Sequence, residues 1–264
     1  MSALALSNHA NKKGREEPQM GRKTYTEEEK AAFKERDREL AEAADAALAA
    51  PGAGARATEV ALRSPKLAAY SLRNHMMLAL QAEQAGIELR DVDTGRGWKE
   101  RGRTPRKGSK AVMRIVYPIT PKSGEADTSE DGETPKTRFR TKAVFEIDQT
   151  DESETFTSDP KVAPESDPAR IWHDRLLREA ASLGYTVRYT RPDEAAALAV
   201  TDGESKTIAV AAADPLALAP EALGALADRL AEALTAARAD GSAKPNATAA
   251  RQAGPDAGTV LEFD

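Results

Sequence analysis

Apolar residues recur at helical spacing over two long stretches and at strand spacing over several short ones. Between Thr26 and Ala50, Phe33, Leu40 and Leu48 sit among alanines and charges, which predicts a helix with a thin apolar stripe. Thr26 followed by Glu27, Glu28 and Glu29 forms a Ser/Thr-x-x-Glu capping box with carboxylates near the positive helix end. Pro51, Gly52 and Gly54 end it. A second helical stretch begins near Ala57, with Ser64-Pro65 as a cap followed by a first-turn proline. There Leu67, Tyr70, Ser71, Asn74, Leu78 and Gln81 recur at spacings of three and four, Leu72, Met76 and Leu80 mark a neighbouring face, and Gly86 stops the helix.

The segments 111–119 (AVMRIVYPI) and 138–147 (RFRTKAVFEI) read as two strands of a hairpin, joined by an acidic, turn-rich loop at 123–135. The second strand carries Arg138, Arg140 and Lys142 at alternate positions, hence on one face. Residues 151–167 are acidic, with prolines and serines and no period, and read as a linker. Beyond it come an amphipathic helix from Pro168 to Leu183, three short strand candidates (YTVRYT, ALAV, TIAVA) and a Leu-spaced helix opened by Pro220. The expected class is α+β in two units: a disordered start at 1–23, a first domain at 24–150, the linker at 151–167, a small α+β domain at 168–238 and a disordered tail at 239–264.

Composition narrows the chemistry. The chain has 264 residues, 40% hydrophobic but only 5% aromatic, so its core is built from Ala, Leu, Val and Ile. It has no cysteine, which excludes disulfides, thiolate nucleophiles and Cys-ligated zinc. No apolar run is long enough to span a bilayer, and the N-terminal charges follow their apolar patch instead of preceding it. A cytoplasmic protein is expected. His9, His75 and His173 are the only histidines, too scattered for a catalytic triad.

Charge is what singles out one stretch. From Arg90 to Arg114 nine positive residues stand against three negative ones, a local excess of +6 in a chain of net charge −5. A basic island in an acidic chain implies a localised anionic partner. The loop 102–110 (GRTPRKGSK) supplies Arg103, Arg106, Lys107 and Lys110 beside two glycines, with Arg101 just before it. Trp98 offers a face for base stacking, with Tyr70 and Tyr117 as further platforms. Cations interleaved with aromatics suit sequence-tolerant single-strand binding. The opposing reading is a solvated basic turn over a core tryptophan. Ser71 and Asn74 share a helix face with Tyr70 and are placed to brace a neighbouring backbone segment or to meet a ligand. His75 alone reads as an ordinary packed or exposed histidine.

One ordered set of residues carries a resemblance. It comprises Ser71-x-x-Asn74 on a helix, Trp98 two dozen residues on, the run from Arg103 to Ala111, a strand reaching Pro118, and VFEIDQT closing on Gln149-Thr150. Over roughly residues 58–150 this resembles the N-terminal, single-stranded-DNA-binding domain of ArdC-type antirestriction proteins of plasmids and related mobile elements. The resemblance implies a protein that protects transferred single-stranded DNA or acts in antirestriction; with H-E-x-x-H absent, no enzyme is expected. Its contacts would be Trp98, Arg101, Arg103, Arg106, Lys107, Lys110, Arg138, Arg140, Lys142, Tyr70 and Asn74, with Asn74 and Gln149 bracing. A restriction, defence or conjugation protein is a further partner, and no membrane is involved. The alternative is an interaction protein whose basic loop docks an acidic protein partner. The acidic loop 123–135 and the linker are candidates for folding back onto the basic patch.

The same family usually continues into a zinc metallopeptidase-like domain marked by H-E-x-x-H, two histidines on one helix face with a glutamate base. Here the comparable helix reads ALADRLAEAL, with Asp228, Arg229 and Glu232 in those places. Arg229 is a fixed cation that repels a metal and accepts no proton. The expectation is a degenerate domain without metal or cofactor, with Asp228, Arg229 and Glu232 on a solvated helix face; a cryptic metal site on Asp228 and Glu232 is the third alternative.

Overall fold

A computed structural model of the chain describes residues 26–119, 138–153 and 167–241. The expectations for 1–23, for the acidic loop 123–135, for most of the linker and for the tail beyond Gly241 fall outside the described residues. The chain forms two compact units, Met1–Arg36 and Asp37–Asp264. Helix α1 (Glu27–Leu48), which begins in the first, opens on the expected capping box. The Thr26 hydroxyl accepts from the Glu29 N–H at 3.1 Å, and the Glu29 carboxylate accepts from the Thr26 N–H at 2.9 Å.

The unit from Asp37 onward is mixed α+β. After the end of α1 come α2 (Ala53–Ala61), α3 (Pro65–Ala68) and α4 (Leu72–Ala85). The expected cap at Ser64 is present: its Oγ accepts from the Leu67 N–H and Pro65 opens α3. The sequence pattern reads one run from there to Gly86, but Ser71 divides it, its Oγ accepting from the Asn74 N–H to cap α4. Next come β1 (Val92–Asp93), α5 (Gly95–Glu100), β2 (Arg103–Pro105), β3 (Met113–Ile119), β4 (Arg138–Glu146), a 3-10 turn (Ile147–Gln149) and β5 (Thr150–Glu152). The expected hairpin is present: β3 and β4 pair antiparallel with Tyr117 opposite Arg140 and Met113 opposite Val144, and β1 flanks β4. The short β2 and β5 pair antiparallel apart from that sheet.

The remainder is α6 (Pro168–Ser182), β6 (Thr186–Thr190), β7 (Ala199–Asp202), β8 (Thr207–Ala211) and α7 (Pro220–Ala239). Its sheet runs β6-β8-β7, parallel between β6 and β8 and antiparallel between β7 and β8.

Packing runs across the expected linker. One core joins Ala57 and Ala61 of α2 and Met76 and Met77 of α4 to Trp172 and Leu176 of α6, Ile208 and Val210 of β8, and Leu223, Leu226 and Leu230 of α7. The Trp172 indole N–H donates to Thr58 Oγ1 at 2.9 Å inside it. Small residues let these helices approach: a Cβ on Gly54 would lie 2.0 Å from the Asp228 backbone nitrogen, so α2 and α7 touch backbone to backbone. A smaller core of Leu67, Leu78, Leu89, Val92, Met113, Ile115 and Val144 underlies the hairpin.

The side of β3 that faces away from β4 is occupied by α4. Asn74 Nδ2 donates to the Val116 carbonyl and its Oδ1 accepts from the Val116 N–H, both at 2.9 Å. Gln81 repeats the pairing two turns later: Nε2 donates to the Arg114 carbonyl at 2.9 Å and Oε1 accepts from the Arg114 N–H at 2.8 Å. Each carboxamide thus imitates one peptide group of a neighbouring strand.

Candidate nucleic-acid interface

The basic loop is held at its base by strand pairing. β2 brings Arg103 opposite Glu152, Thr104 opposite Asp151 and Pro105 opposite Thr150. Beyond it the chain turns: the Ser109 N–H donates to the Arg106 carbonyl at 2.9 Å, and Gly108 takes φ +89°, a value that favours glycine. Gln149 closes the turn at both ends. Its carbonyl accepts from the Arg106 N–H at 2.9 Å and its Nε2 donates to the Lys110 carbonyl at 3.1 Å.

The arginines of the island are largely committed to acids that lie elsewhere in the sequence. Arg101 pairs with Asp91 and lies 3.8 Å from Asp93. Arg103 donates to the Thr150 hydroxyl at 2.8 Å and lies 3.7 Å from Glu152. Arg106 pairs with Asp151 at 2.9 Å, Arg90 with Asp148, Arg114 with Asp37 at 3.3 Å, and Arg96 with Glu100 at 2.8 Å. The island's surplus charge in sequence is therefore largely offset in space. Sequence proximity missed these acids because Asp151 and Glu152 arrive through the β2–β5 pairing and Asp148 follows the end of β4, which pairs with β1.

What stays available is narrower. Lys99, Lys107, Lys110 and Arg140 are exposed and form no ion pair among the described residues. Lys142 is exposed too, with its Nζ 4.1 Å from the centroid of the half-buried Tyr117 ring. The side chain of Arg138 lies outside the described residues.

Three expected contacts are corrected. Trp98 is 0% exposed in α5, its indole N–H donates to the Phe145 carbonyl at 2.9 Å, and the Arg101 guanidinium covers its ring at 4.3 Å. No base can stack on it; it anchors the loop to the core. Tyr70 is half-buried against the smaller core, and burial first, then Asp93 and Asp91, hold its phenol well above the usual range. Asn74 is buried with its carboxamide engaged by Val116, so it braces the hairpin and does not reach a ligand.

The elements beneath the loop are tightly determined. A Cβ on Gly97 would lie 2.1 Å from the Asp93 carboxylate, so only glycine lets α5 sit over that side chain. Glu146 is buried at the end of β4, where it accepts from the Asp148 N–H at 2.6 Å and the Arg90 N–H at 3.2 Å, and burial pushes its carboxyl up.

Residues 34–145 match the family model for the N-terminal domain of anti-restriction factor ArdC. Over these residues the chain is similar to an ArdC-type N-terminal domain. The match runs from within α1 through α2 to α5 and the hairpin, including the Asn74 brace, the buried Trp98 and the lysine turn. No curated protein matches the chain. Two crystal structures of the antirestriction ArdC protein from plasmid R388 match at 24% and 23% identity, one Mn(II)-bound and one metal-free. They cover 52% and 53% of this chain and 49% and 46% of their own, with TM-scores of 0.25 and 0.26. The chain thus spans about half the length of those ArdC chains, and the scores are too low to place a residue of one onto the other.

Helix α7 lies outside the ArdC-type match. Asp228 Oδ1 accepts from the Gly54 N–H at 2.6 Å, which caps α2, and Arg229 pairs with Glu232 at 2.8 Å. Asp228 is therefore part of a helix crossing and not of a solvated face, whereas Glu232 is exposed. Among the described residues no group of three or more His, Asp or Glu is placed to hold a metal ion. With one carboxylate capping a helix and the other held by an arginine, this face does not fit a divalent ion. No helix of the described residues is long and apolar enough to cross a membrane.

Proposed function

We propose that this chain is a non-enzymatic, single-stranded-DNA-binding antirestriction protein of a mobile element. Lys107 and Lys110, on a turn fixed at both ends within an ArdC-type domain, carry the reading: they are exposed and unpaired among the described residues. They meet phosphates as point charges, while Lys142, Arg140 and Tyr117 on the hairpin extend the cationic surface. Arg101, Arg103 and Arg106 shape the surface, since their fork-like donors are already used internally.

The test is a fluorescence-anisotropy titration of labelled single-stranded and duplex DNA at several salt concentrations. The expected result is salt-sensitive binding that prefers the single strand. Lys107→Glu with Lys110→Glu should weaken it about 10- to 100-fold and flatten the log–log salt slope by about 1.4, roughly 0.7 for each lost phosphate contact. Wild-type protein that stays unbound at low salt, or a double variant that binds as before, overturns the reading. Capture of an acidic protein by a chain that ignores DNA would establish the docking alternative.

A further inference from the structure

We propose that Gln149 is a positioning residue for the lysine turn, fixing how Lys107 and Lys110 face a phosphodiester backbone; this rests on the single-strand reading above. All three of its hydrogen-bonding groups other than its own N–H are used. Its main-chain carbonyl accepts from the Arg106 N–H at 2.9 Å, its Nε2 donates to the Lys110 carbonyl at 3.1 Å, and its Oε1 accepts from the Glu146 N–H at 3.1 Å. One residue therefore grips the first and last residues of the turn and ties both to the end of β4. That end is anchored: Glu146 is buried, and the neighbouring Phe145 carbonyl accepts from the buried Trp98. Thr150, next in sequence, holds Arg103 through its hydroxyl at 2.8 Å.

The turn contains no apolar side chain, so no packing would keep its shape if the grip were lost. The two lysines would then be ordered only when DNA arrives, and that ordering would subtract from affinity. The number of phosphates they neutralise would not change. This separates positioning from contact, because the salt slope counts phosphate contacts while affinity also includes ordering.

The experiment compares full-length wild type with Gln149→Met, which keeps the length of the side chain and loses both polar ends. Single-stranded DNA affinity is measured across salt concentrations, thermal unfolding is followed, and backbone amide exchange is read over 106–110. The expected result is about a tenfold weaker complex with an unchanged salt slope, together with faster exchange at Arg106 and Ser109. Wild-type affinity in Gln149→Met overturns the proposal, and so does a slope that falls with the affinity, which would make position 149 a contact. If Gln149→Met unfolds, Gln149→Glu keeps the acceptor for Glu146 and loses only the donor to Lys110. It is read by amide exchange, because its charge adds repulsion of its own, and exchange as slow as in wild type overturns the proposal. Failure of wild-type protein to bind DNA would overturn the functional reading, while exchange in the two variants would still judge the grip.

Discussion

Where α2 crosses α7, two backbones meet through Gly54, Ala55 and Gly224, and a single carboxylate, Asp228, caps the end of one helix. At the lysine turn there is nothing to bury: residues 106–110 are Arg, Lys, Gly, Ser and Lys, held by hydrogen bonds to Gln149 and an ion pair to Asp151. The first region owes its shape to close contact and has no room for an extra atom. The second owes its shape to directed polar bonds and leaves its cationic side chains in water. Substitutions should therefore register as lost stability in the one and as lost affinity in the other.

The largest effect should come from breaking the crossing itself. Gly54→Ala adds a methyl where the Asp228 nitrogen and the Ala227 carbonyl carbon already stand, 2.0 Å and 2.3 Å away. In an open helix alanine would be the better residue, but here the backbones must separate, and a loss of ~3 kcal/mol or more is expected in urea unfolding. A variant as stable as wild type would mean that the helices do not meet at this glycine.

A pH series sharpens the comparison from the core side. His75 is buried with its ring 4.7 Å from Trp172 in an edge-to-face contact, and its Nε2 lies 3.0 Å from the Leu67 carbonyl, so that nitrogen carries the proton in the neutral form. Burial drives its pKa down to about 4. The unfolded chain takes up this proton near the ordinary value while the fold refuses it. Its contribution is thus intact above pH 6.5 and is lost as the pH falls toward about 4, by up to ~3 kcal/mol. Buried Glu179, pushed up by burial, works in the opposite direction. The clean readout is therefore the difference between wild type and His75→Gln: urea unfolding at pH 7 and pH 5 should show a flatter response in the variant. Equal slopes would assign the titration to another group.

The smallest effect is expected on the exposed side of the basic island. Arg96→Ala removes one i,i+4 pair with Glu100, and chemical unfolding should register under about 0.5 kcal/mol. A larger loss would show that the island's ion pairs hold the fold as firmly as the helix crossing does.

The sequence pattern located the long elements well because their signals are local. The capping box at Thr26, the stop at Gly86, the paired runs at 111–119 and 138–147 and the proline openings of α6 and α7 lie close to the observed boundaries. It read the cap at Ser64 with its first-turn proline correctly but missed the break at Ser71, since a run of helical spacing does not register a serine that caps from within it. It missed α5 and the two-to-three-residue strands β1, β2 and β5, which are too short to show a period. The site was legible in outline and misread in detail. A basic, glycine-containing loop was visible; that its arginines are used up by Asp91, Asp148, Asp151 and Glu152 was not, because three of those acids arrive from residues about 45 positions away or more. Trp98 looked like a platform because a lone tryptophan beside cations has the same sequence signature whether it faces water or the core. The bracing role of Asn74 was among the readings of its helix face, and its partner strand was visible at 111–119, but nothing in the sequence joined the two.

The carboxamides of Asn74 and Gln81 bear on how this protein behaves in a crowded solution. A strand at the border of a sheet offers its peptide groups to any extended chain that meets it, which is how sheets recruit strangers and begin to aggregate. Along β3 that offer is withdrawn at Arg114 and Val116, because two side chains of the same molecule already occupy those groups. Two amides two helical turns apart thus act as a seal against strand addition along this border.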